Sequence, residues 1–201
     1  MGLTSLMRWA NTTHMSDPYF FGYGSLVNTK THVYQDAQPA KLRGWRRVWQ
    51  RTNARDMAFL TIVPSESTTL LGLIAKVPDA NWAALDAREE GYDRMVATDM
   101  IDHDHAANPE LAIYAIPSAT RFAPTPDHPI LLSYLDVVLQ GYLHVFGEAG
   151  VKHFMETTDG WDTLILDDRR QPIYPRAQNL SAEEIALVDT CIHKVGATVR
   201  T

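Results

Sequence analysis

The chain has a single cysteine, Cys191, so it can form no internal disulfide and no cysteine-built metal centre. That usage fits a reducing compartment, and a cytoplasmic location is expected. No apolar run is long enough to cross a bilayer as a helix. Met1–Leu6 is also too short an apolar stretch for a secretory signal. Basic charge is not in excess: 18 Lys and Arg stand against 24 Asp and Glu, for a formal net charge of −6. A dedicated nucleic-acid binder needs the opposite balance. Internal repeats and low-complexity tracts are absent. What remains is an ordinary globular composition, 45% hydrophobic and 21% charged over 201 residues, enough to bury a core without staples.

The apolar pattern divides the chain. Residues 1–18 read as a leader without structure, with Met15 a possible second start. Residues 19–24 read as a strand. Residues 41–51 alternate, with Arg43, Trp45, Arg47, Trp49 and Arg51 on one side of a strand; their long side chains are expected to cover the sheet exterior. Residues 57–63 read as a strand stopped by Pro64, and residues 70–77 as another closing at Pro78. Asp79 is placed to cap a helix running through Trp82, Leu85 and Arg88. Residues 95–102 and 111–116 are strand-like. From Pro124 the period changes: Leu131, Leu135, Val138, Tyr142 and Phe146 recur at helical spacing, ended by Gly147. A second helix follows Ser181, with Glu184 completing a capping box. Between them Pro172 and Pro175 stiffen an extended segment. Short strands followed by helices predict an α+β fold with a curled mixed β-sheet or barrel over residues 19–123, and a C-terminal helical extension over 124–201 packed on the same domain.

Several groupings invite chemistry. Asp102-His103-Asp104-His105 has ligand-type residues, yet no third histidine lies at zinc-type spacing, and a solvated loop is the plainer reading. Ser25 with His32 could make a nucleophile and base, but no Gly-x-Ser-x-Gly elbow surrounds Ser25. Gly22-Tyr23-Gly24-Ser25-Leu26 ends an apolar strand. Its two glycines permit a sharp turn and close approach to a ligand, and successive N–H groups there can hold an anion or a polarised carbonyl. By itself such a loop is a turn. A second element, Leu85-Asp86 with Glu89, Gly91 and Tyr92, gives it weight; by itself Glu89 reads as an exposed helix-end carboxylate.

Together these segments resemble the gamma-glutamylcyclotransferase superfamily. Tyr23-Gly24-Ser25 matches its strand-end loop, and Leu85-Asp86, Glu89, Gly91 and Tyr92 match its acidic element. Leu42-Arg43-Gly44-Trp45-Arg46-Arg47 is similar to the glutathione-specific ChaC-type branch, although Val27-Asn28 differs from it. The resemblance implies a catalyst that closes a gamma-glutamyl compound, glutathione first, into 5-oxoproline. It implies Glu89 as the catalytic base, and Tyr23, Gly24, Ser25, Leu26 and Tyr92 around the substrate, with no metal and no cofactor. The implied partner is a small gamma-glutamyl molecule, with no nucleic acid and no membrane. The alternative is a catalytically silent binding or regulatory member of the same fold. Tyr174 or Arg176 is expected at the pocket edge, since an arginine suits a substrate bearing carboxylates.

Overall fold

The aromatic run Tyr19-Phe20-Phe21 becomes β1 (Tyr19–Gly22), buried along its whole length. The computed structural model describes residues 17–201; the reading of Met1–Leu6 and all of the expected leader except Asp17 and Pro18 lie outside the described residues. Two long strands follow, β2 (Gln38–Arg51) and β3 (Ala58–Lys76). Then come a short helix α1 (Ala83–Arg88) and the strands β4 (Asp93–Val96), β5 (Ile101–His103) and β6 (Leu111–Ala115). Strand β7 (Ile130–Leu131) leads into helix α2 (Leu132–Glu156). The chain closes with β8 (Thr158–Asp159), β9 (Ile165–Leu166), α3 (Ala182–Lys194) and β10 (Val199–Arg200).

The main sheet runs β4-β6-β1-β3-β2-β5, with β8 attached to β2, while β10-β9-β7 form a small second sheet. Pairing is mixed: β1 lies antiparallel to β3 and parallel to β6. Strands β4 and β5 occupy opposite ends of the main order, yet only residues 97–100 separate them in the chain. The sheet must therefore curl until its edges approach, which makes it the curled α+β architecture expected.

The structure corrects several local expectations. Pro64 does not end a strand. It pairs with Trp45 beside a register shift between Arg43 and Trp45, where a residue without an N–H is tolerated. The two strands expected on either side of it are one bent strand, β3. The same irregularity changes the side-chain parity of β2. Arg43 is exposed, but Arg47 and Trp49 point into the core with 0% exposure. Asp79 does not cap α1; it sits at φ 55° in a separate turn, and Trp82 precedes the helix without a side-chain cap. The strand expected over 95–102 is split, because β4 pairs with β6 and β5 with β2. Gly147, at φ 67°, interrupts α2, but helix resumes to Glu156. The capping box at Ser181 and Glu184 forms as expected.

Helix α2 is not an amphipathic cover. Apart from Tyr134, every residue from Leu132 to Tyr142 is buried, as in a helix enclosed on all sides. It crosses the loop after β1 so closely that a Cβ on Gly141 would lie 2.7 Å from the Asn28 nitrogen and 2.8 Å from its Cα. Asn28 itself is buried, donating to the Val137 carbonyl at 3.0 Å and to Gln140 Oε1 at 2.9 Å. Backbone cannot yield there as a flexible side chain can. Gly141→Ala is expected to destabilise the fold by roughly 1–3 kcal/mol through overpacking, despite the better helix propensity of alanine. Chemical denaturation measures it, and an unchanged midpoint would contradict the close crossing.

Candidate active site

Tyr23 is where β1 stops, and its carbonyl is held twice. Arg47 Nε donates to it at 2.8 Å and the Tyr142 hydroxyl at 3.0 Å. The same guanidinium donates to the Leu71 carbonyl at 2.6 Å, to Thr157 Oγ1 at 2.7 Å and to the Tyr142 hydroxyl. Its carbon lies 4.8 Å from the centre of the Phe154 ring. Because the peptide is planar and trans, fixing the Tyr23 carbonyl also fixes the Gly24 N–H, which points away from Arg47. Residues Ser25–Val27 then form one tight turn, with Val27 N–H bonded to the Gly24 carbonyl at 3.0 Å and Asn28 N–H to the Ser25 carbonyl at 3.1 Å. Gly24 has no room for a side chain: a Cβ would meet the Tyr134 hydroxyl at 2.7 Å.

Helix α1 carries the acidic element. With six residues it is too short to persist by propensity alone. Leu85 anchors it in the core, and Asp86 accepts from the Tyr114 hydroxyl at 2.5 Å and pairs with Arg94 at 3.1 Å. Arg88 reaches across to the loop after β1, donating to the Thr31 carbonyl at 2.9 Å and to Ser25 Oγ at 3.3 Å. Glu89 is the C-cap of α1 and turns its carboxylate inward, with a side-chain exposure of 17% and one oxygen 3.4 Å from Arg88 Nε. Burial pushes the Glu89 carboxyl above the ordinary carboxylate range, against the opposing fields of Arg88 and Arg176. Its neighbour Glu90 is exposed and pairs with Arg55 at 3.2 Å.

The residues anticipated from sequence converge. A small cavity of about 40 Å³ is bordered by Tyr23, Gly24, Ser25, Leu26, Glu89 and Tyr92. It adjoins a larger cavity of about 180 Å³, which shares Ser25, Glu89 and Tyr92 and extends to Tyr174 and Arg176. The surrounding tyrosines stay neutral. Burial raises Tyr23, Tyr92, Tyr114 and Tyr134, and the nearby Glu89 carboxylate adds to each shift. Most of these hydroxyls are already committed, Tyr23 to the Tyr114 carbonyl at 2.7 Å and Tyr92 to the Leu60 carbonyl at 2.8 Å. The hydroxyl of Tyr134 differs. It lies over Gly24, near the Ser25 N–H, and its own proton has no acceptor among the described residues. Sequence reasoning missed it, and the available signal was slight: an aromatic hydroxyl off the apolar stripe, between Leu131 and Leu135.

Other groupings resolve differently. His32 cannot serve Ser25 as a base. Its Nδ1 accepts from the Tyr34 N–H at 3.2 Å, so Nε2 carries the proton toward the Leu26 carbonyl at 3.1 Å, and burial lowers its pKa to about 4. Asp102 and Asp104 are exposed, as in a solvated loop, but the half-buried His105 is tied down: with Tyr19 it binds Asp36, whose pKa the Tyr19 hydroxyl and further hydrogen bonds lower to about 2. Among the described residues no three His, Cys, Asp or Glu side chains converge as metal ligands. No helix among the described residues is long and apolar enough to cross a membrane.

Solved structures share this fold. A gamma-glutamyl cyclotransferase superposes with a TM-score of 0.53 at 14% identity, covering 87% of this chain and 99% of that one. An uncharacterized protein from Homo sapiens gives 0.52 at 15% identity with the same coverages, 87% and 99%. YkqA from Bacillus subtilis gives 0.52 at 17% identity over 72% of this chain and 56% of that one. No curated protein matches the chain. The sequence profile of ChaC-like proteins matches residues 18–130, more than half of the chain, and the chain belongs to that family.

A buried carboxyl with a raised pKa has a consequence for stability. Its protonated form is favoured in the folded state, so the stabilisation is complete below the unfolded pKa and is lost as pH rises through the folded one. Glu89→Gln removes that cost and is expected to raise the melting temperature near pH 8, with the gain shrinking toward pH 4. A variant that melts lower than the parent at pH 8 would contradict the burial assigned to Glu89.

Proposed function

We propose that the protein is a gamma-glutamylcyclotransferase acting on a small gamma-glutamyl compound, with glutathione the first candidate and gamma-glutamyl amino acids next. One observation carries the reading. A largely buried carboxylate with an upward-shifted pKa, Glu89, faces a rigid strand-end loop across one cavity, in a chain of the ChaC-like family. The arrangement suits a substrate that brings its own nucleophile.

The α-amine of a gamma-glutamyl group can attack its own γ-carbonyl and close a five-membered lactam, 5-oxoproline. The new C–N bond forms as the bond to the outgoing amine breaks. Two protons leave the α-nitrogen and two arrive on the departing nitrogen, so none is consumed overall. A single carboxylate can carry them in turn, which is the role proposed for Glu89. The raised pKa suits it, because a carboxylate at its ordinary value is a weak base for an ammonium. The loop at Tyr23–Leu26 is proposed to hold the substrate carboxylate or the γ-carbonyl oxygen, where preorganised donors stabilise developing negative charge. The Tyr134 hydroxyl is the uncommitted donor beside it. Tyr92 borders the folded glutamyl chain, whose compact shape supplies proximity. So described, the protein would act as a lyase or transferase in a cytoplasmic setting, releasing 5-oxoproline and the free amine or dipeptide.

Two substitutions test the role of the acid. Glu89→Gln should lower 5-oxoproline release by roughly 10²-fold or more, the scale for loss of a general acid–base group. Glu90→Gln, on the exposed side of the turn, should leave it nearly unchanged. In the parent protein kcat/KM should fall as pH drops through the raised Glu89 pKa, so the acid limb should lie above about pH 4.3, the ordinary glutamate value. Near-normal turnover by Glu89→Gln would remove the proposed base.

A further inference from the structure

The cavity has an inner end and an outer end, and they meet at Glu89. The inner end is closed by Tyr23, Gly24 and Tyr114. The outer end is walled by Met57, Phe59 and the segment Ile173-Tyr174-Pro175-Arg176. Ser25, Glu89, Tyr92 and Tyr134 border both. If the reacting carbonyl sits beside Glu89 with its glutamyl end against the loop, the leaving group extends outward past Arg176.

Three guanidinium groups border that outer space: Arg55, Arg88 and Arg176. Arg88 is committed to Thr31, Ser25 and Glu89. Arg55 is paired with Glu90. The Arg176 side chain has no hydrogen-bond or ion-pair partner among the described residues, although its charge is close enough to bear on Glu89. It is half-buried, so it is not a freely solvated surface arginine.

The segment that presents Arg176 is rigidly built. Buried Asp168 accepts from the Ser133 N–H at 2.7 Å, the Ser133 hydroxyl at 2.5 Å and the Ile173 N–H at 2.8 Å. Arg169 forks onto both oxygens of Asp136 at 2.8 Å and reaches Asp189 at 2.7 Å. The Tyr174 ring stands edge-to-face on Tyr134, centroids 5.0 Å apart, and the Ala177 N–H closes a turn on the Tyr174 carbonyl at 3.1 Å. A wall fixed at this many points, ending in an uncommitted cation over a cavity, is a preformed anion receptor.

We infer that Arg176 selects substrates whose leaving group carries a carboxylate, so that gamma-glutamyl amino acids and peptides with a free C-terminus are favoured over gamma-glutamylamines and amides. The inference rests on the cyclotransferase reading for the identity of the glutamyl end, but it concerns a residue outside the segment matched to the ChaC-like family.

Glutathione and its C-terminal glycinamide differ in one charged group and hardly in size, and both binding by calorimetry and 5-oxoproline release can be followed with the full chain. The parent protein should prefer glutathione by roughly 10- to 100-fold, the scale of one charge-assisted bidentate contact. The preference should lie in Kd and KM, with kcat little changed, as for a contact made equally in ground and transition states. Arg176→Gln should erase the preference by weakening glutathione alone, and Arg176→Lys should restore part of it. A parent protein that treats the two compounds alike would overturn the inference. So would an Arg176→Gln that weakens both by the same factor, since Arg176 would then serve the glutamyl end or the fold. If neither compound yields 5-oxoproline but binding still prefers glutathione and Arg176→Gln erases that preference, the cyclotransferase reading fails while Arg176 stands as the carboxylate receptor.

Discussion

The grip of Arg47 on the Tyr23 carbonyl organises this molecule. A fully buried guanidinium normally requires a carboxylate, because removing a charge from water costs several kcal/mol. None of the Arg47 partners among the described residues is a carboxylate. Its donors are spread over two backbone carbonyls and two hydroxyls, and its face lies against Tyr142 and Phe154. Those partners belong to the end of β1, to β3, to α2 and to the residue just after α2. One side chain on β2 thus joins the curled sheet to its central helix and sets the plane of the peptide that begins the loop after β1. Burial lowers the Arg47 pKa without threatening its charge.

From that anchor the site is assembled by elements far apart in sequence. The sheet supplies the loop, and α1 supplies Glu89 at its C-terminal end. There the carbonyls at the helix end disfavour a negative charge and reinforce the effect of burial on the carboxyl. Helix α2 supplies Tyr134, and the segment before α3 supplies the outer wall. Tyr134 and residues 173–176 are therefore part of the cavity wall, and a half-chain matching only the sheet would leave it open. The tyrosines make a dry lining without adding charge, so that Glu89 is the ionisable group at the centre, and Arg88 and Arg176 set how far its pKa can rise.

Much of this was legible in the sequence where one local rule dominates. Buried strands announced themselves as apolar runs, Ser181 and Glu184 as a helix start, and the glycine pair around Tyr23 as a loop built for close approach. The family resemblance carried by Leu85, Asp86, Glu89, Gly91 and Tyr92, and not their spacing alone, pointed to Glu89. Legibility failed where a distant contact overrides the local signal. Pro64 reads as a terminator until the irregularity opposite it is known. Arg47 reads as exterior because alternation was counted through Gly44, where the register shifts. Asp79 reads as a cap, but its backbone is held in a left-handed turn. Tyr134 gave no periodic signal, because α2 is buried all round and its polar position is defined by Gly24, 110 positions earlier in the chain. Arg176 was legible only as an arginine in a stiff segment; that it lacks a partner depends on where Asp168 and Arg169 tie that segment.

In the proposed reaction the substrate supplies its own nucleophile, and water takes no part in the attack on the carbonyl. Turnover of a gamma-glutamyl substrate in water enriched in oxygen-18, with the acyl product analysed by mass spectrometry, separates the two routes. Intramolecular closure predicts 5-oxoproline as the initial product, with no label and no free glutamate. Glutamate carrying the heavy isotope in its γ-carboxyl would mean that water attacks the carbonyl, and would rule out intramolecular closure.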